Sequence, residues 1–317
     1  MKPLNLIPAD VDISFIAKRK IFFAFSALMI LVSVSMTFVH GLNFGIDFKG
    51  GILIEVRTDG PANISEMRDK MSTLGLGDIS LQEFGEPTDV LIRIQRQPGG
   101  DEAQQLAVNA VKGVFGEKVE YRRTEFVGPQ VSAELLEDGI MAVSLAILAI
   151  LIYIWFRFEW QFGVGAVVAL VHDVITTIGI FAVMGFEFNL STVAAVLTIA
   201  GYSINDTVVV YDRVREKLRK YKTMPLPDLL NLAINKTLSR TIVTSLTTLL
   251  ALLALFFLGG EVIRDFSFAM IWGVVVGTYS SICVAVPLLM YFGLDDKARG
   301  NLIGDDEDDA GPQTETP

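Results

Sequence analysis

Six apolar stretches, each near the length needed to cross a bilayer, limit what this chain can fold into. A hydrocarbon core about 30 Å thick is crossed by about 20 apolar helical residues. The stretches are residues 21–39, 140–156, 162–184, 191–211, 241–258 and 266–292. A single short one, such as 140–156, reads equally well as a buried core helix. Six of them in 317 residues define a polytopic α-helical membrane protein. Only 20% of the residues are charged and the mean hydropathy is +0.49, whereas soluble domains carry about 25% charged residues. Lys18, Arg19 and Lys20 precede the first stretch as they would in a signal peptide. That stretch is longer than a signal core and no small-x-small site follows it, so an uncleaved anchor is expected.

Orientation follows from the basic residues of the short connections. Segments on one side (1–20, 157–161, 212–239 and the tail from 293) hold 14 Lys and Arg, against one in the short segments of the other side. Both termini are therefore expected in the cytoplasm, with residues 40–139 outside. The basic cluster Arg213, Arg215, Lys217, Arg219, Lys220 and Lys222 chiefly sets this topology, and it also suits anionic membrane lipid. The acidic run Asp305, Asp306, Glu307, Asp308 and Asp309 gives the 293–317 tail a solvated, disordered composition.

The outside segment reads as a folded domain. Ile52, Ile54 and Val56 alternate as in a strand. Asn63 and Glu66 resemble a capping box, followed at helical spacing by Ile64, Met67, Met71 and Leu74 and closed at Gly75. Residues 79–84 and 90–94 read as strands. Asp101 is a candidate cap for a helix with Ala103, Leu106, Ala110 and Val114 on one face, closed by Gly116. Residues 119–126 form the last strand. The order β-α-β-β-α-β is the split arrangement of an α+β, ferredoxin-like domain.

Several chemistries lack their residues. Two histidines and one cysteine exclude a disulfide within the chain and a zinc site built from several Cys or His. A net charge of −10 argues against nucleic-acid binding. The glycine-rich run 45–51 has a lysine, but neither Ser nor Thr follows it and a strand comes next, so it is no phosphate cradle. No hydrolase motif is present. The sequence thus predicts neither an enzyme nor a cofactor or metal site; work by this chain would draw on an ion gradient or a partner.

Ionisable residues within spans are costly and point to function by default. Asp173 lies 11 residues into the third span, near mid-bilayer. Asp206 lies in the fourth span, and Arg240 opens the fifth at a similar depth. Each begins or joins a polar stripe at spacings of three and four: Thr176 and Thr177 after Asp173; Thr198, Tyr202 and Asn205 with Asp206; Thr244, Thr247 and Thr248 after Arg240. Facing one another, such stripes make a hydrated interior suited to proton transfer. The plainer readings are a static Asp206–Arg240 pair, an Arg240 that snorkels, and hydroxyls that only hold helices together. His172 reads as a packed, hydrogen-bonded residue, and Cys283 as an apolar one. Gly273 and Gly277 form a helix-packing G-x-x-x-G.

The residues also resemble a family. Gly45-Ile46-Asp47-Phe48-Lys49-Gly50-Gly51 after the first span, Val127-Gly128-Pro129 before the second, Ala169-Leu170-Val171-His172-Asp173, the run from Gly201 to Glu216 and Ser239-Arg240-Thr241 are together similar to the SecF proteins of the SecD/SecF family, in the RND superfamily. The resemblance spans roughly residues 15–295. It implies half of an RND-like unit whose other half is SecD. It also implies a place beside the SecYEG channel with SecA, YajC and YidC, and help in exporting unfolded preproteins across the bacterial inner membrane on the proton motive force. It carries the proton-coupling roles to Asp206 and Arg240 and a supporting one to Asp173. An RND-type efflux subunit for small molecules or metals, and a scaffold that transports nothing, stay open as alternatives.

Overall fold

The computed structural model describes residues 12–77, 79–259, 263–292 and 294. The first eleven residues and the acidic run near the C-terminus lie outside the described residues. Among the described residues six helices are long and apolar enough to cross a membrane: Ile16–His40, Gln130–Arg157, Trp160–Met184, Leu190–Lys220, Leu226–Leu258 and Arg264–Leu288. They comprise, in the order used below, α1 (Arg19–His40), α5 (Pro129–Arg157), α6 (Trp160–Met184), α7 (Leu190–Lys220), α8 (Leu226–Leu258) and α9 (Arg264–Ser280). A π-helical turn, Ser281–Ala285, and a last short helix, α10 (Val286–Leu288), continue α9.

These helices outrun their apolar stretches. The 212–239 connection, read as a loop, is largely helical: α7 runs on to Lys220 and α8 starts at Leu226. Its polar residues hid a second, buried stripe. Val214, Leu218, Leu229, Leu230, Ala233 and Ile234 pack into one apolar core with Ile16. The chain before α1 is pinned to this hairpin by Asn231 and Asn235, whose side-chain oxygens accept from the Ile16 and Ile13 amides at 3.0 Å.

Between α1 and α5 lies the α+β domain. It contains β1 (Asn43–Phe44), α2 (Ile46–Lys49), β2 (Gly51–Thr58), α3 (Ile64–Ser72), β3 (Ile79–Phe84), β4 (Glu86–Ile94), α4 (Gly100–Phe115) and β5 (Val119–Val127). The four longer strands form an antiparallel sheet in the order β3-β4-β2-β5. Ile52, Ile54 and Val56 of β2 meet Val90, Ile92 and Ile94 of β4 and the buried residues of α3 and α4. The Asn63 side chain caps α3 by accepting from the Glu66 amide.

Two expectations for α4 fail. Its N-cap is Gly99, not Asp101. Its inner face is Gln104, Ala107, Val108, Val111 and Phe115, while Leu106 is 69% exposed. Two apolar stripes competed in this sequence, and Gln104 breaks the tie. Its amide accepts from the Gln97 amide at 3.2 Å and donates to the Gln97 carbonyl at 2.7 Å, which holds the Gln104 edge of α4 against the loop before it.

Gly50 and Gly51, at φ +70° and +130°, make the turn from α2 into β2. A Cβ on Gly51 would lie 2.7 Å from the Ile94 carbonyl oxygen, so both the backbone and the space require glycine.

Arg57 clamps Asp89 across β2 and β4, its Nε donating to Oδ1 at 2.6 Å and Nη2 to Oδ2 at 2.7 Å. These hydrogen bonds hold the Asp89 carboxyl below its ordinary value, with Arg122 adding to the effect. A depressed folded-state value stabilises above the unfolded one and is lost as pH falls through the folded one. Asp89→Asn in the full chain should therefore speed native-state exchange of β2 and β4 amides about threefold at neutral pH, as for a pair whose arginine is partly exposed. The difference should shrink as pH falls below the ordinary carboxylate range and through the depressed folded-state value.

Candidate proton-coupling site

Asp173 is fully buried, at 0% exposure. It faces three helices: α6, which carries it, α7 and α9. Ser203 Oγ and Ser280 Oγ donate to Oδ2 at 2.5 and 2.7 Å, and His172 Nδ1 lies 2.8 Å from Oδ1. Thr176 and Thr177 donate back to the Asp173 carbonyl oxygen. The close approach depends on the G-x-x-x-G face of α9. A Cβ on Gly273 would run into the Ile199 side chain, and one on Gly277 would sit 3.4 Å from Ser203 Cβ and 3.6 Å from Asp173 Oδ2. Both carboxylate oxygens are thus engaged, and the cluster is sealed.

Asp206 is different. It is 8% exposed, and its Oδ2 has no hydrogen-bond partner among the described residues. Thr241 at the start of the apolar part of α8 and Ser281 of the π turn adjoin it, with Arg240 and Asp173 near enough to act through their charges. Among the described residues the Thr241 hydroxyl is also without a hydrogen-bond partner. Ser281 exchanges a hydrogen bond with Thr207 at 2.9 Å. A π turn widens the helix by one residue and recurs at functional sites. Ser280, the last residue of α9, meets Asp173, and Ser281, the first of the π turn, adjoins Asp206.

Arg240 lies at the surface of the chain, and no ion pair joins it to Asp206 among the described residues. Thr198 and Asn205 of α7 and Thr244 and Thr247 of α8 are exposed, with Tyr202 and Thr248 half-buried. The hydroxyls of Thr198, Thr244, Thr247 and Thr248 donate to carbonyls of their own helix. Tyr202 instead reaches Ser245 at 3.5 Å, and Ser245 reaches Thr278 at 2.7 Å, linking α7, α8 and α9.

The three expected stripes therefore do not converge on one interior. The Asp173 stripe is enclosed. Those of α7 and α8 are largely exposed on this single chain, while Asp206 of the α7 stripe is 8% exposed. Sequence reasoning missed Ser203, Ser280, Ser281 and Thr241. Ser203 stands three residues before Asp206, which was a usable signal; Ser280 and Ser281 stand at least 14 residues along the chain from any charged residue and gave none.

Six membrane-length helices, interrupted after the first by a ferredoxin-like domain and holding two buried carboxylates, define a polytopic protein of the transport kind. The comparisons make this specific. Residues 107–295 match the model of the SecD/SecF protein export membrane protein C-terminal region, and residues 36–62 match that of the SecD/SecF GG motif. The chain belongs to the SecD/SecF family. It is 48% identical to the protein translocase subunit SecF of Rickettsia rickettsii over 296 residues, covering 92% of this chain and 95% of that one. To the SecF of Rickettsia prowazekii it is 46% identical, covering 92% and 94%. A crystal structure of SecDF from Thermus thermophilus, a translocon-associated membrane protein, matches with a TM-score of 0.82 at 36% identity. The match covers 92% of this chain but 40% of that longer one. SecDF in its super-membrane-facing form matches with a TM-score of 0.68.

Proposed function

We propose that this chain is the SecF-type half of a proton-driven protein translocase in the bacterial inner membrane. Its partner is SecD, and together they supply two six-helix halves of an RND-like unit. By family resemblance SecYEG, SecA, YajC and YidC are neighbours, and unfolded preprotein is the substrate. Both termini face the cytoplasm, and residues 40–139 fold in the periplasm. This orientation rests on the charge bias of the connections.

The observation that carries the reading is the unpartnered Oδ2 of Asp206, at the edge of a polar membrane face that a single chain leaves uncovered. A polar face within a bilayer calls for a protein neighbour or a water-filled path. Asp206 has a free lone pair and a route to that face, so it exchanges the proton. Arg240 favours the ionised state. Asp173 is saturated with hydrogen bonds and holds α6, α7 and α9 in register. When Asp206 takes up a proton, its attraction to Arg240 drops, α7 and α8 shift against each other, and the outer domain moves with α7. A charge crossing the membrane potential supplies about 2.3 kcal/mol per 100 mV, enough to bias such a shift.

The test is preprotein translocation into inverted vesicles holding SecYEG and SecD, with ATP constant and a proton gradient on or off. Adding this chain should increase translocation chiefly when the gradient is on. An equal increase with and without the gradient would identify a scaffold instead. Gradient-driven export of a dye or metal in place of preprotein would identify an efflux subunit.

A further inference from the structure

The α6–α7 turn is held by the outer domain at several points. Gly185, in the left-handed conformation, ends α6. The short strand β6 (Glu187–Phe188) then pairs in parallel with β1, opposing Asn43 to Glu187 and Phe44 to Phe188. The Gly45 amide donates to the Phe188 carbonyl at 3.0 Å. Arg93 of β4 forms an ion pair with Glu187. Asp47 of α2 accepts, through Oδ2, from the Leu190 amide at 3.0 Å. The first turn of α7 is thus capped twice: at Thr192 by its own Asn189, and at Leu190 by an aspartate far away in the sequence. A Cβ on Gly45 would collide with the Glu187 carboxylate, so the contact depends on that glycine.

This contact lies at the end of the helix that carries Asp206. From Leu190 to Asp206 is about 24 Å along one continuous helix, at 1.5 Å per residue. On the other side, the run 45–51 leads directly into β2, which is hydrogen-bonded on both edges, to β4 and β5. A displacement of α7 therefore arrives at the centre of the sheet. The domain is also joined covalently to α1 through Gly41, at φ +72°, and to α5 through Gly128, but neither of those helices carries Asp206.

We infer that the clasp formed by Asp47, Arg93 and Glu187 is the mechanical link by which α7 moves the outer domain, these three acting as positioning residues. The inference rests on the reading of Asp206 as the proton-exchanging group. The clasp stays closed through the cycle, so that breaking it uncouples the domain and fastening it does no harm.

The test uses the full chain with its partner and with Cys283, its one cysteine, replaced by Ser. Arg93→Cys with Glu187→Cys should lower gradient stimulation of translocation at least threefold and leave the ATP-only rate unchanged. Joining the two thiols with a short bis-maleimide after assembly should restore the stimulation, which a folding defect would not allow. Asp47→Ala should act like the open cysteine pair, while Asp47→Asn, which keeps an acceptor, should stay near wild type. Full stimulation without the crosslink, or stimulation that remains low or is abolished with it, overturns the inference. Asp206→Asn is run in parallel. If that variant keeps full stimulation, the proton reading fails whatever the clasp does; if it alone loses stimulation, only the clasp fails.

Discussion

Asp173→Ala should destabilise the helix bundle by about 2–5 kcal/mol, the largest loss expected from any single side chain in the spans. The substitution takes an acceptor from three buried side chains at once: His172 and Ser203 are left without a side-chain partner, and Ser280 keeps only the Gly277 carbonyl at 3.1 Å. Each unpaired group costs about 1–3 kcal/mol in a site that water cannot reach. Hydrogen bonds between membrane helices measure less, about 0.6 kcal/mol on average, because the separated helices find other partners. The total therefore falls below the sum of three full penalties. Asp173→Asn keeps the shape and one acceptor and should lose about half as much. Thermal unfolding of the detergent-solubilised chain, followed by reactivity of the buried Cys283, reads both. A midpoint for Asp173→Ala equal to wild type would remove Asp173 from its place as the joint of α6, α7 and α9.

Asp206→Asn should behave in the opposite way. Stability should change by less than about 1 kcal/mol, since an amide of the same size still meets Thr241 and Ser281 and one oxygen was unpartnered already. Gradient stimulation of translocation should fall to the ATP-only level. Arg240 should follow the same logic more weakly. Arg240→Gln removes the charge that favours the ionised carboxylate and should cut the stimulation severalfold, whereas Arg240→Lys keeps the charge and most of the stimulation. Among the described residues no ion pair fixes Arg240 to one carboxylate geometry, so a point charge serves nearly as well as a planar fork. Translocation assays at matched expression, with the gradient on and off, separate these outcomes. A Gln variant as active as the Lys variant would make Arg240 a snorkelling residue.

Much of the fold was legible because it rests on two strong signals. The length of an apolar run reports a bilayer crossing directly, and the alternation of β2 with the capped helix α3 reported the outer domain. What was lost had physical causes. The parts of α7 and α8 that flank the 220–226 connection are polar on one side, so the apolar run ended where the helices did not. On α4 two apolar stripes were available, and Gln104 decided between them by a hydrogen bond to a loop that no periodicity shows.

The site was legible to the level of its charges. Asp173, Asp206 and Arg240 stood out because a charge in a span is expensive. The division of labour among them did not, since it depends on hydroxyls from other helices. Ser203 and Ser280 satisfy Asp173, while Asp206 keeps one oxygen free. The matched depth of Asp206 and Arg240 suggested that the two meet. Depth along a helix says nothing of rotation about it, and Arg240 turns to the outer face.

The claim that Asp206, and not Asp173, carries the proton is tested most directly by infrared difference spectroscopy of the reconstituted complex as pH is stepped. The account predicts a protonated-carboxyl band that appears and disappears with pH in the wild type, persists in Asp173→Asn and is absent from Asp206→Asn. A band that survives in Asp206→Asn and is lost in Asp173→Asn would contradict it, and would move the proton path into the enclosed cluster of α6, α7 and α9.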